Sequence, residues 1–358
     1  MPEPSMMFMP DWASPPGDTL DDLLDERAMT QTELAERLGV SLKHVNRVVK
    51  GAASMSAEFA LGLEKVFGVP ASFWMTREAH FQSDRARREQ RAKFAGAVDW
   101  AKGFPIAELR KRGLLAPGPK GPELVEQLLG FLGIADPAQW SDPLVAYRKS
   151  QKFESDAFAL SAWLREGELQ AAKLRCEPYS EQRFVSALQQ IRVLTRNEPS
   201  QWWPALQDLC ANAGVAVVLV DTYKGARANG AARWLSPQTA LIQLSLRHAW
   251  EDIFWFSFFH EACHVLKHRK KDQFVDIGSN SDPEIRRLEA EADTFAARTL
   301  IPAIHESRLR TLTVGTISEF AATLGIAPAI VVGRLHHENL LPHNQGNHLR
   351  RRFEFAAQ

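Results

Sequence analysis

The chain has 358 residues, 45% of them hydrophobic and 24% charged, enough for two or three domains of ordinary globular type. Formal net charge is zero, which excludes an overall electrostatic pull toward nucleic acid and makes any DNA-facing surface a local one. Three widely spaced cysteines, Cys176, Cys210 and Cys263, exclude a disulfide framework, and no signal peptide or membrane-length apolar run stands out, so a cytoplasmic chain without membrane contact is expected.

Residues 1–17 are proline-rich and read as irregular. Asp18-Thr19 is expected to cap a first helix from Leu20 to Ala28. Thr30 then caps Gln31 to Leu38, with Glu33 completing a capping box, and Gly39 stops that helix. Ser41 caps Leu42 to Lys50, which Gly51 closes, and Ser56 opens a helix through Phe67. Two short helices joined by a glycine turn form a helix-turn-helix. The outward positions of its second helix are Ser41, Leu42, Lys43, His44, Asn46, Arg47 and Lys50, with no acid among them. Such side chains reach base edges and phosphates in the major groove, and Gln31 at a helix start suits a phosphate oxygen. Acidic Asp21, Asp22, Asp25 and Glu26 on the first helix leave open a bundle used only for dimerisation. A specific reader of this size is expected to act as a homodimer, since one module makes few base contacts.

The pattern Thr30-Gln31-x-Glu-Leu-Ala-x-Arg-Leu-Gly-Val-Ser-x-x-x-Val-x-Arg is similar to the Xre/Cro-type DNA-binding family, and Gly68-Val-Pro-Ala-Ser-Phe-Trp74 resembles HigA-like antitoxins. This resemblance covers about the first quarter of the chain. It implies a DNA-binding domain over residues 1–82, a double-stranded DNA operator, and a HigB-like toxin as a partner.

Residues 83–95 form a charged helical connector whose basic bias could touch DNA backbone, and Pro117 to Pro122 breaks the helical pattern. Helices from Phe158 to Lys173 and from Glu181 to Thr195 make 83–200 a helical scaffold. After a helix from Trp202 to Ala213 comes the β-branched run Val215 to Val220, a buried strand, then candidate strands Ala226 to Trp234 and Thr239 to Leu246 around a Ser236-Pro237 turn.

Glu251 to His268 contains no Gly or Pro and is densely apolar, a buried helix that carries His260-Glu261-Ala262-Cys263-His264. Positions i and i+4 share a helix face, so His260 and His264 can hold one ion together, with Glu261 beside it as general base. Cys263 is read as packing, facing away from the ligands. A third ligand is needed. Leu288 to Ala297 supplies Glu289 and Asp293 on one helical face: one can ligate while the other accepts a hydrogen bond from a ligand histidine. Glu291 is the spare candidate, and His268 could join the same face.

His-Glu-Ala-Cys-His followed by Glu-Ala-Glu-Ala-Asp-Thr-Phe-Ala-Ala-Arg-Thr-Leu-Ile-Pro302 resembles the ImmA/IrrE family of zinc metallopeptidases, and the second pattern is also similar to the third-ligand helix of gluzincins. The resemblance implies Zn2+ on His260, His264 and Glu289, with Asp293 orienting a histidine. It also implies cleavage of a protein such as a repressor or antitoxin, or else a HigA-like regulator whose peptidase-like domain senses a ligand or partner without cutting. Tyr147 to Phe153 and Ala162 to Glu168 resemble the helical region preceding the peptidase in long, regulator-fused members.

An edge strand beside the metal helix can bind a peptide by strand addition, and Asn229, Gly230, Ala231 and Ala232, in the strand ending at Trp234, are the candidate for it. An ordinary hairpin strand is the alternative. Tyr223 is a candidate oxyanion donor. Ser318 to Leu335 echoes Thr32 to Val49 position by position, with Ala, Ile and Val in place of Lys, His and Asn, so that hairpin is expected to pack rather than read bases. The tail with Arg350, Arg351 and Arg352 is expected to be mobile.

The resulting fold class is α+β, mostly α. A helix-turn-helix bundle over 1–82 is followed by the helical region over 83–200. A gluzincin-like peptidase domain over 201–305 has a small sheet and the His-Glu-x-x-His helix, and a C-terminal helical hairpin with its tail spans 306–358.

Overall fold

The computed structural model describes residues 14–140, 156–268, 274–276 and 283–353. The segment Tyr147 to Phe153 and residues 1–13 lie outside it. Contacts divide the chain into two compact units, Met1–Val98 with Pro119–Glu126, and Asp99–Gly118 with Gln127–Gln358.

The first unit is helical: α1 (Pro16–Glu26), α2 (Gln31–Leu38), α3 (Leu42–Val49), α4 (Ala57–Phe67) and α5 (Ala71–Phe94). Its local rules are met where the sequence placed them. Glu33 N–H donates to Thr30 Oγ1 at 3.2 Å while Thr30 N–H donates to Glu33 Oε2 at 2.8 Å, a complete capping box. Ser41 and Ser56 cap α3 and α4 in the same way, accepting from His44 and Phe59. Gly39 ends α2 at φ 65°, a left-handed turn that suits a residue without Cβ. Leu20, Leu34, Val45, Val48, Leu63 and Trp74 close one core between these helices.

Two expectations need correction here. α1 starts at Pro16, with Pro15 as its cap residue and no side-chain cap bond, because proline is pre-set for a first helical turn. The division expected after residue 82 falls inside α5, whose charged half runs on to Phe94 with Arg88–Asp84 paired at 2.7 Å along the helix.

The second unit contains α6 (Val98–Lys102, reaching back to the boundary), α7 (Ile106–Lys111), α9 (Ala157–Ala171), α10 (Glu181–Leu194) and α11 (Pro199–Asn212); α8 (Pro122–Leu132) is shared by sequence between the two units. A sheet of β1 (Val215–Leu219), β2 (Gly230–Ser236), β3 (Thr239–Leu244) and β4 (Phe274–Asp276) follows, in the order β1-β3-β2-β4. β1 runs parallel to β3, and β2 lies antiparallel to both β3 and β4. Against the sheet lies α12 (Glu251–Lys267), crossed by α13 (Pro283–Leu300), with α14 (Glu306–Leu309), α15 (Ile317–Leu324) and α16 (Pro328–His337) completing the unit.

α12 is apolar nearly all round, as befits a helix covered on every side, and buries Phe254, Trp255, Phe258, Phe259, Ala262 and Val265 in one core. That core extends from Phe184 to Phe353, so the divisions expected after residues 200 and 305 cut through a single packed body. Ala292 and Ala296 face inward on α13, where small side chains allow close approach to a neighbouring helix.

α15 and α16 repeat the shape of α2 and α3: Gly325 stands at φ 67° and ψ 35° against 65° and 31° for Gly39. Ile330, Val331 and Val332 are buried, so this second hairpin packs. The tail is not mobile over Arg350 to Phe353. Arg350 forms a bidentate pair with Asp252, Phe353 is buried beside Trp202 and Phe254, and Arg351 C=O accepts from the Glu251 N–H at the start of α12. No single helix among the described residues is long and apolar enough to cross a membrane.

Candidate metal centre

α12 brings His260 and His264 onto one face, one turn apart, with their Nε2 atoms 3.0 Å from each other. α13 crosses so that Glu289 meets both: its Oε2 is 3.1 Å from His260 Nε2 and its Oε1 is 3.6 Å from His264 Nε2. One ligand atom from each of the three lies within 4.8 Å of the others. Two imidazole nitrogens and a carboxylate oxygen converging from two helices are the donor set of an open tetrahedral site with one position left for water or substrate. The residues therefore fit a metal such as zinc.

The surrounding groups orient these donors. Asp293 Oδ1 is 2.9 Å from His260 Nδ1; with Nδ1–H donating there, Nε2 keeps its lone pair for an ion. His264 is arranged similarly by His268, with the two Nδ1 atoms 2.6 Å apart. His268 thus stands behind a ligand rather than beside it. Burial, reinforced by the neighbouring His260 and His268 rings, lowers the His264 pKa to about 2, so this imidazole is neutral and ready to ligate at ordinary pH. Glu291, the spare candidate, turns to Lys267 at 3.0 Å and lies away from the histidine pair.

Glu261 is fully buried on α12 next to His260, and its carboxylate is packed against β2. A Cβ on Gly230 would fall 2.5 Å from Glu261 Oε1 and 2.7 Å from its Cγ, so any larger residue there forces the Glu261 side chain to shift. Burial pushes the Cys263 thiol up to about 12, in keeping with a packing role.

The strand-addition expectation needs correcting. Across Gly230 to Ala232, β2 is hydrogen-bonded on one side to β3 and on the other to β4, with Gly230, Ala231 and Ala232 opposite Asp276, Val275 and Phe274. It is an inner strand there, and a peptide cannot add to it. Tyr223 is also committed elsewhere: its hydroxyl donates to Glu166 Oε2 at 2.6 Å while Arg112 stacks on its ring at 3.9 Å.

In the helix-turn-helix, Ser41, Lys43, Arg47 and Lys50 are exposed, whereas His44 is half-buried edge-on against Phe59. Asn46 Nδ2 donates to Gln31 Oε1 at 3.3 Å, and Gln31 in turn donates to Asp21, so these two amides hold each other in place across the turn. Arg47 reaches the Ala52 carbonyl at 3.2 Å.

Two residues of the metal region were not identified from sequence in their observed roles. Gly230 was expected only to admit a peptide, yet it admits Glu261. His268 shares the ligand face by sequence, and its i+4 spacing from His264 is the signal for the contact the two rings make.

Comparison with known proteins finds two family models, one described as helix-turn-helix over residues 20–74 and one described as IrrE N-terminal-like domain over residues 220–336. Among solved structures, an antidote protein of a plasmid maintenance system from Nostoc punctiforme is 25% identical, covering 23% of this chain and 89% of that one with a TM-score of 0.22. An addiction module antidote protein of the HigA family from Coxiella burnetii is 28% identical, covering 24% and 95% with the same TM-score. No curated protein matches. The chain thus carries one segment similar to a helix-turn-helix family and a second similar to the IrrE N-terminal-like family.

Proposed function

We propose that this chain is a DNA-binding transcriptional regulator whose second unit is a zinc-dependent endopeptidase acting on a protein substrate. The observation that carries the reading is the convergence of His260, His264 and Glu289, all within 4.8 Å, beside the buried Glu261. Zinc bound there would polarise the scissile carbonyl and acidify the attacking water. Glu261 takes the proton from that water and passes it to the departing amine nitrogen. Asp293 and His268 hold the two ligand imidazoles in the tautomer that leaves Nε2 open. Burial of His264 keeps bulk water from its lone pair and its imidazole neutral.

For the first unit, an acid-free helix α3 with Lys43, Arg47 and Lys50 exposed supports operator binding, with Ser41, His44 and Asn46 the further candidates for base or phosphate contact. Two copies would be needed to read a two-part site.

Metal analysis of the purified chain should find about one zinc per molecule, by the stoichiometry of a three-ligand site, and His264→Ala should lose it. Proteome-wide cleavage mapping should then find cut sites made by wild type and absent in Glu261→Gln. Zinc content that His264→Ala leaves unchanged rejects the metal assignment. Regulation that survives Glu261→Gln but fails in His264→Ala favours sensing without cleavage.

A further inference from the structure

We propose that the cavity between α12, α13 and α16 is a regulatory site for a small organic amine, one ammonium group carried on an apolar body, and that its occupation weakens the metal centre through Asp293. The binding stands on the cavity alone. Its effect on the metal rests on the metal-site reading above, and the experiment separates the two.

Two polar groups of the cavity flank His260 without belonging to the ligand set. Ser257 lies three residues before His260 on α12, so the two are neighbours on the helix surface. It is only 6% exposed, it lines the cavity, and its hydroxyl has no partner among the described residues. A buried hydroxyl without a partner is costly, and a ligand that bonds to it recovers that cost. Asp293 comes from α13. Its Oδ1 meets His260 Nδ1 at 2.9 Å, yet the side chain is 61% exposed and no Lys or Arg pairs with it among the described residues. An ammonium, with three N–H donors and no acceptor, can donate to the Asp293 carboxylate and the Ser257 hydroxyl together.

The charge of the lining fixes the sign of the occupant. Asp252, Asp293, Glu306 and Glu338 face the cavity, with Arg298 and Arg334. Arg334 and Arg298 answer Glu338 and Glu306, and Arg350 holds Asp252 from behind. With histidine neutral, Asp293 alone keeps an uncompensated negative charge, so one positive charge completes the site and an anion is repelled. Ile253, Phe256, Ala297, Ile301 and Ile330 supply the apolar wall, and Phe256, whose ring lies 6.3 Å from that of His260, brings an aromatic group to the same end. The volume, about 700 Å³, suits one small molecule. Once bound, the ammonium competes with the His260 Nδ1–H for Asp293 and sets a positive charge behind a ligand imidazole. Both effects oppose a metal cation at His260 Nε2, so amine and metal weaken each other's binding by the same factor.

The probe is 2-phenylethylamine, titrated by calorimetry into the full-length protein, with 2-phenylethanol, phenylacetate and methylamine as controls. The amine is expected to bind at least about 10-fold tighter than each control, the scale of one charge-assisted hydrogen bond. Asp293→Asn should abolish the preference for the amine over the alcohol, and Ala297→Phe, which fills the cavity, should abolish binding. Should Ala297→Phe misfold, Ser257→Ala, which removes one oxygen, should weaken the amine by about 3–10-fold at an unchanged melting temperature. Zinc affinity, read by competition with a chromophoric chelator, should fall by about 3–10-fold at saturating amine, less than the full loss of such a supporting partner costs. No binding, equal binding of amine and alcohol, or affinity unchanged in the folded Ala297→Phe and Ser257→Ala variants overturns the site. N-acetyl-Ala-Lys-Ala-amide bound as tightly as the amine makes the occupant a protein lysine and overturns the small-molecule assignment. Selective amine binding that leaves zinc affinity unmoved keeps the site and overturns its link to the metal. Selective amine binding by a chain that holds no zinc keeps the site and rejects the metal-site reading; zinc binding without amine binding does the reverse.

Discussion

Arg350→Met removes the charge that ties the C-terminal strap to the metal helix. In the native structure Arg350 Nε donates to Asp252 Oδ1 at 2.8 Å and Nη2 donates to Oδ2 at 2.9 Å. The two side chains are only 10% and 8% exposed, and the guanidinium also sits 4.2 Å over the Trp250 ring. Asp252 has little room to seek water, because a Cβ at Gly333 would already be 2.3 Å from its Oδ2. Methionine keeps the packing of the stem but leaves a buried carboxylate without its cation. Losing one partner of a buried pair costs about 3–5 kcal/mol. The first turn of α12 still favours a negative charge, which returns about 0.3–1 kcal/mol. A net loss of about 3 kcal/mol follows, and at about 2–4 °C per kcal/mol for a unit of this size the melting temperature should fall by roughly 6–12 °C. Calorimetry on Arg350→Met, Asp252→Asn and the double variant supplies the check. The double variant should be markedly more stable than the sum of the singles predicts, since it leaves no unpaired charge. A melting temperature within about 2 °C of wild type for Arg350→Met, a shift too small for any of the above costs, or strict additivity of the two changes, would refute the reasoning.

Glu251 offers a pH test. Burial raises its pKa from 4.5 to about 7 against the pull of Arg351, so the folded state holds this proton more tightly than the unfolded chain. Stability should therefore fall as pH rises from 4.5 to about 7 and level off above; Glu251→Gln should gain on wild type in thermal melts across that window, and a pH-independent difference would remove the explanation. Gly230→Ala should push the Glu261 carboxylate aside while leaving His260, His264 and Glu289 in place, so zinc content should stay near wild type as peptide cleavage drops about 10²–10⁴-fold; loss of zinc instead would mean that the strand supports the ligands. Arg47→Ala should weaken operator binding by about 1–3 kcal/mol in gel-shift titrations without lowering the melting temperature. Val331→Lys, at a fully buried position, should destabilise first; normal DNA binding by Arg47→Ala and its loss in a well-folded Val331→Lys would put the reading head at the other end.

The sequence by itself determined the parts whose causes act over one or two helical turns. Thr30 and Glu33 specify a capping box through groups three residues apart, Gly39 and Gly325 specify left-handed stops through the missing Cβ, and His260 and His264 share a face because four residues make about one turn. Tertiary structure alone decided what depends on how these pieces are rotated against each other. Glu289 and Glu291 sit on the same helix, and only the packing of Ala292 and Ala296 toward α12 turns the first to the histidines and the second to Lys267. β2 reads as an edge strand until β4 pairs beside it, and the Arg350 tail reads as loose until Asp252, 98 residues earlier, meets it. Such contacts carry no local signature. A strand's free side, a buried cation or a glycine pressed on a carboxylate is a property of two segments brought together, and the energy that brings them together comes from the shared core running from Phe184 to Phe353.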